Sequence, residues 1–385
     1  MKKDPRYTAF TVLMHWQRAS HTLDRSLAVH AGLLDSLSKK DRTLCNALIF
    51  GVLRHRESMD WIIRAFSHTP IEKIKISALY LLRLALYQMM YMDRIPVFAA
   101  INTAVDIAKK EGGRQMGGFI NAILRKASKE YTAVPLPDPK THPAAYMGVK
   151  HAMPIWLVER WIRTFGEQKT AELCRRINQV PGITLRTNTL KTDRTALTEA
   201  LRKEVEQITP TSFSNQGLQF STPSVPIAEL TAFKTGGFQI QDEAAQIVTE
   251  WMAPRPGEIN LDACAGLGGK TGHMAQLMNN QGRITALDTE AAKLDKLKTE
   301  MQRLGVEIVT TRPLNVLKTT VKDFSSFFDR VLVDAPCTGL GVMQRNPDTK
   351  WKRKAHDITR LAGRQKKILN AAASLVRPGG LVVYA

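Results

Sequence analysis

The pattern from Gly237 onward constrains this chain more than any other feature. Short apolar runs end at Asp262, Asp288, Thr310 and Asp334, and helix-length stretches separate them. Strands that alternate with helices pair through crossover connections, so the spacing predicts a parallel, doubly wound α/β sheet. Ligands of such sheets sit beyond the carboxyl ends of the strands, which is where these aspartates fall.

The rest of the chain reads differently. From Arg6 to about Glu130 apolar residues recur at three- and four-residue spacing, which predicts a helical bundle. Ser38 with Asp41 three residues on marks a helix start, and Ile76 to Met92 is strongly apolar apart from Arg83. Pro96 opens a further helix, and Gly117-Gly118 precede another. Pro135, Pro137, Pro139 and Pro143 then forbid a regular element. Beyond them helical pattern leads into the alternating run Ile183–Asn188 and a helix from Thr195 to Glu204, a small mixed unit. The expected organisation is therefore multidomain: an all-α bundle over 1–132, a proline-rich linker over 133–148, a small α/β segment over 149–235, and a Rossmann-like α/β domain over 236–385.

Charge narrows the partner. Fifty-five basic against thirty-five acidic residues leave +20 in 385 residues, a balance suited to a polyanion, with nucleic acid the leading candidate. The amino terminus lacks a small-residue cleavage site and no long stretch is free of charge, so a cytoplasmic protein with no membrane span is expected. Four cysteines, Cys45, Cys174, Cys264 and Cys337, are too few and too scattered for a disulfide framework, and no Cys-x-x-Cys suggests a metal. Cys45 and Cys174 lie in helical pattern and read as core.

The loop after the first strand of the sheet, Ala263-Cys264-Ala265-Gly266-Leu267-Gly268-Gly269-Lys270-Thr271, lets backbone approach a ligand at a helix start. Three ligand classes compete for it. A phosphate-cradling loop matches at Gly269-Lys270-Thr271 but has Cys264 where its first glycine belongs, and a dinucleotide fingerprint has Thr271 where its last glycine belongs. S-adenosylmethionine needs a close turn and an acid at the end of the next strand to accept both ribose hydroxyls, and Asp288 stands there.

Two later motifs narrow the choice. Asp334-Ala-Pro-Cys337-Thr-Gly339 puts an acid and a thiol at the same sheet edge, and Arg345-Asn-Pro-Asp-Thr-Lys-Trp351 follows. Together with Asp262–Thr271 they resemble the RNA 5-methylcytosine methyltransferases of the Nop/Sun group. Leu81–Gln88 and Phe119–Arg125 resemble a NusB-like helical domain, as found in the bacterial RsmB (Sun/Fmu) branch, which modifies small-subunit (16S) ribosomal RNA; Gly237-Phe-Gln-Ile-Gln-Asp242 also matches. The resemblance runs through the chain in order. It implies a SAM-dependent rRNA cytosine-5 methyltransferase, with S-adenosyl-L-methionine held by Cys264, Ala265, Gly266, Leu267, Gly268, Gly269, Lys270, Asp288, Asn315 and Asp334. Leu267 stands where the family usually has proline, and Asn315 near where an acid commonly faces adenine.

Carbon 5 of cytosine is a poor nucleophile until a thiolate adds at carbon 6, so such enzymes need a cysteine. The resemblance gives attack to a Thr-Cys-Ser cysteine after the fifth strand and release of the product to Cys337, with Asp334 at N3 of the base. Pro378–Ala385 reads as that fifth strand, so the expected nucleophile lies outside these residues and the sheet is expected to stop short. From Arg345 to Lys367 basic residues predominate, and Arg345, Lys350, Trp351, Lys352 and Arg353 are expected to contact the RNA. The expected assembly is a monomer that binds rRNA and no metal. A catalytically inert RNA-binding or antitermination-type factor, or a nucleotide hydrolase using Gly269-Lys270-Thr271, are the competing classes.

Overall fold

The computed structural model describes residues 4–19 and 21–385. It divides into two compact units, one made of 1–180 with 338–355 and the other of 181–337 with 356–385.

The first unit is helical. Pro5–Arg18, Lys39–Arg54, Arg56–Phe66 and Ile76–Tyr91 bury Leu13, Leu48, Leu53, Ile63, Leu82 and Leu86 in one core. Asp4 caps the first helix at the amide of Arg6 and Ser38 caps the second at Asp41, so both starts are written in local chemistry. Arg83, the one charge in the apolar stretch, does not break its helix. It is 1% exposed, and its Nε and Nη2 donate to the two carboxylate oxygens of Asp60 at 2.7 and 2.8 Å. The long helical stretch Val97–Glu130 is interrupted at Gly113, where φ is +80°, and not at Gly117-Gly118. Gly117 lies close to the Lys109 side chain, so it serves packing where Gly113 serves the turn.

No helix or strand spans 135–142, and Pro143 starts the helix Pro143–Lys150. The hairpin Ile155–Phe165 and Glu167–Ile177, read from sequence as part of the small α/β segment, belongs to the helical unit. Arg54 Nη1 donates to the carbonyls of Ile177 and Gln179 at 3.1 and 3.2 Å. A buried arginine that spends its donors on distant carbonyls leaves no trace in local periodicity.

The second unit holds two sheets. Strands β1 (Ile183–Thr187), β2 (Glu206–Pro210), β3 (Gly217–Ser221) and β4 (Phe238–Ile240) form an antiparallel sheet in the order β2-β3-β1-β4. Strands β5 (Ile259–Asp262), β6 (Arg283–Leu287), β7 (Val309–Arg312), β8 (Phe328–Val333) and β9 (Val376–Tyr384) form a parallel sheet in the order β7-β6-β5-β8-β9. This is the Rossmann-like arrangement that the strand-helix alternation predicts. Strand order reverses beside β5, which places the crevice of the sheet at the carboxyl ends of β5 and β8. Leu261, Ala286, Leu287, Val331, Leu332 and Val333 are buried and fix the sheet's core.

Candidate active site at the carboxyl edge of the parallel sheet

Three aspartates mark this edge, and the backbone explains each. Asp262 closes β5, 1% exposed, and its carboxylate accepts from Thr271 Oγ1 at 2.7 Å and from the Cys264 amide at 3.3 Å. Burial raises its pKa to about 6. Asp262 thus ties both ends of the loop 263–268 together from beneath.

The loop turns at Gly266 (φ +55°) and Gly268 (φ +86°), left-handed values that favour glycine. A Cβ on Gly268 would stand 2.6 Å from Leu297 Cγ, whereas one on Gly266 would meet open space. Asp288, just past β6, accepts from the Gly266 amide at 3.1 Å through Oδ2 and from the Glu290 amide at 2.9 Å through Oδ1. Each oxygen keeps a further lone pair for a hydroxyl. Ala263, Cys264, Asp288, Asn315, Pro336 and Arg364 line a cavity of about 220 Å³. Asn315 Oδ1 accepts from the Leu317 amide at 3.1 Å, which fixes the amide's direction.

Asp334 follows β8 and accepts from Lys270 Nζ at 2.6 Å, joining the helix Gly269–Leu277 to the Asp334–Cys337 segment. That ion pair occupies the lysine a phosphate loop would use. Among the cysteines, Cys337 is exposed, whereas burial pushes Cys264 up to about 12, aided by Asp262, Asp288 and Asp334. Cys45 is pushed up to about 12 and Cys174 to about 11, also by burial. Only Cys337 combines a place at this edge with exposure.

The run after Cys337 does not form the basic stripe expected from its sequence. Lys350 is 1% exposed, and its ammonium donates to Asn178 Oδ1 at 2.6 Å and to the carbonyls of Arg54 and Ala152 at 3.1 and 3.3 Å. Trp351 Nε1 donates to the Leu53 carbonyl at 2.6 Å, and Lys352 Nζ to the carbonyls of Trp16 and Ala19 at 2.9 and 2.5 Å. Asp348 accepts from the Leu23 amide at 3.0 Å. These residues clasp the helical unit, and their polar atoms are committed to it. Charge is visible in a sequence but its burial is not, hence the discrepancy. Arg353 Nε donates to the Thr338 carbonyl at 2.7 Å, while Arg364, Lys366 and Lys367 on the helix Ala355–Ala373 are exposed.

Comparison with known proteins places this geometry. Residues 249–385 match the family model for 16S rRNA methyltransferase RsmB/F, residues 3–129 that of the NusB family, and residues 153–228 that of a ferredoxin-like domain of RsmF/B-like methyltransferases. A protein of Synechocystis sp. named "Probable ribosomal RNA small subunit methyltransferase B" is 35% identical over 98% of this chain and 84% of its own length. The chain belongs to the RsmB/F family of 16S rRNA methyltransferases. A Bacillus subtilis relative of the same name is 36% identical over 91% of this chain and 77% of its own. "Ribosomal RNA small subunit methyltransferase B" of Escherichia coli is 32% identical over 92% and 80%. The solved structure of PH0851 shares the fold, with a TM-score of 0.82 at 23% identity over 99% of this chain and 85% of that one.

Family membership accounts for the order NusB-like bundle, ferredoxin-like segment and Rossmann-like sheet. Sequence reasoning overlooked Asp262 and Thr271 as holders of the loop, although both ends of the motif carried them, and Arg364 as a cavity wall. It had no signal for Arg364 beyond one more charge in a basic run. Among the described residues no helix is long and apolar enough to cross a membrane, and no group of three or more His, Cys, Asp or Glu is arranged to hold a metal.

Proposed function

We propose that this chain methylates carbon 5 of a cytosine in small-subunit rRNA with S-adenosylmethionine as donor. The observation that carries the reading is the pairing of Asp288 with the Gly266 turn at the same edge as Asp334 and Cys337. The open space at Gly266 and the spare lone pairs of Asp288 suit a nucleoside with a vicinal diol, Asn315 can accept from an exocyclic amine, and Leu267, exposed at the turn, leaves its backbone to the ligand. When bound, S-adenosylmethionine supplies an electrophilic methyl group on sulfur.

In this reading Asp334, steadied by Lys270, holds N3 of a cytosine that has left its stack. A thiolate adds to carbon 6, carbon 5 takes the methyl group, and loss of the carbon 5 proton allows the carbon–sulfur bond to break. Attack belongs to the family's Thr-Cys-Ser cysteine and assistance in release to Cys337. Cys264, held as a thiol by burial, serves the turn only. Arg345 and Arg353, with the exposed Arg364, Lys366 and Lys367, would take the flanking phosphates.

The test is transfer of a labelled methyl group to unmodified small-subunit rRNA, with the product nucleoside identified. Residues 1–385 are expected to bind the donor without transfer. Formation of 5-methylcytidine by these residues alone would make Cys337 the attacking thiol. A methyl group on any other atom refutes the reading.

A further inference from the structure

Arg186 on β1 is the most deeply buried unpaired charge of the second unit that the reaction does not use. It is 1% exposed, and its donors go to four neutral oxygens. Nη1 donates to Gln241 Oε1 at 2.5 Å and to the Gly269 carbonyl at 3.0 Å; Nη2 donates to Gln239 Oε1 at 2.9 Å, and Nε to Gln276 Oε1 at 3.2 Å. A guanidinium has no acceptor, so it dictates which end of each glutamine faces it. At Gln241 this leaves the buried Nε2 without a hydrogen-bond partner. The guanidinium's demand outweighs an unmet donor, which costs free energy in a buried site.

These four acceptors lie on three elements. Gln239 and Gln241 flank the end of β4, Gln276 lies on the helix Gly269–Leu277, and Gly269 is that helix's first residue, directly after the left-handed Gly268. The motif Gly237–Asp242, which the catalytic reading leaves without a task, thereby acquires one: its two glutamines anchor the arginine that grips the loop's end. Asp262 holds the loop from the strand side, and Arg186 holds it from the helix side.

We propose that Arg186 is a positioning residue for the cofactor loop, fixing the Gly268–Gly269 turn through the Gly269 carbonyl while Gln239, Gln241 and Gln276 neutralise its charge with dipoles. The proposal rests on the reading of this loop as the S-adenosylmethionine site for its functional consequence, but not for its geometry. Arg186→Lys keeps the charge while an ammonium cannot span four acceptors on three elements.

Two measurements on the full chain separate the questions. Hydrogen exchange without ligand should become faster across 265–272 in Arg186→Lys, while the strands 183–187 and 217–221 stay protected. Titration with S-adenosylmethionine should show affinity lowered about tenfold or more, the scale of one lost charge-assisted hydrogen bond. Gln241→Leu, which removes one acceptor and spares the arginine, should give a smaller effect of the same kind and stands in should the lysine variant not fold. Unchanged exchange across 265–272 in the folded variants, or equal loss of protection throughout the unit, overturns the proposal. Absence of binding by the unsubstituted chain overturns the reading of the site instead, and the exchange data still decide the role of Arg186.

Discussion

Replacing Lys350 by methionine should change the pH dependence of stability and leave RNA binding alone. The ammonium is buried among neutral acceptors, and burial, reinforced by Arg54, lowers its pKa to about 7 from an ordinary 10.5. The folded chain therefore holds fewer protons than the unfolded chain between those values. Stability gained from this group is complete above the unfolded pKa and is lost as pH falls toward 7. Between pH 7 and pH 9 the wild-type chain should gain about 2 kcal/mol from Lys350, from two pH units at about 1.4 kcal/mol each less partial titration at pH 7. The substitution also removes three hydrogen bonds and a buried charge, opposing effects, so the diagnostic quantity is the slope. Urea unfolding at pH 7, 8 and 9 should show the difference between wild type and Lys350→Met growing in favour of wild type. A pH-independent difference would refute the burial argument. So would a drop of about 0.9 in the salt slope of RNA affinity, the signature of a lost phosphate contact.

Asp288→Ala should leave the fold intact and weaken S-adenosylmethionine binding about 10- to 100-fold by calorimetry, since two charge-assisted contacts are lost; unchanged affinity would remove Asp288 from the site. Asp60→Ala strands the buried Arg83 guanidinium and should cost about 3–5 kcal/mol in urea unfolding, with a cost below 1 kcal/mol counting against a buried ion pair. Brief iodoacetamide treatment at pH 8 followed by peptide mass spectrometry should label Cys337 and spare Cys45, Cys174 and Cys264, whose burial keeps them protonated. Labelling of Cys264 at a comparable rate would reopen it as a nucleophile.

Elements with local signatures were legible in the sequence. The parallel sheet announced itself because apolar strand ends and glycine-rich turns are close in the chain, and helix starts such as Ser38 carry their own caps. What escaped was set by distant partners. Arg83 read as an interruption because Asp60, which neutralises it, lies 23 residues away. Lys350 and Lys352 read as solvent-facing because their acceptors, Arg54, Ala152, Trp16 and Ala19, are hundreds of residues earlier. The break at Gly113 in place of Gly117-Gly118 turned on which glycine faced open space, a tertiary fact. At the candidate site, Asp288 and Asp334 were found because strand ends mark them, whereas Arg186 and Arg364 carry no local mark.

The most direct measurement is calorimetric titration of S-adenosylmethionine and, separately, ATP with magnesium into the chain. The account predicts one S-adenosylmethionine site that Asp288→Ala weakens, and no response to ATP, because Lys270 is held by Asp334. Binding of ATP at this loop, or no binding of S-adenosylmethionine, would contradict it.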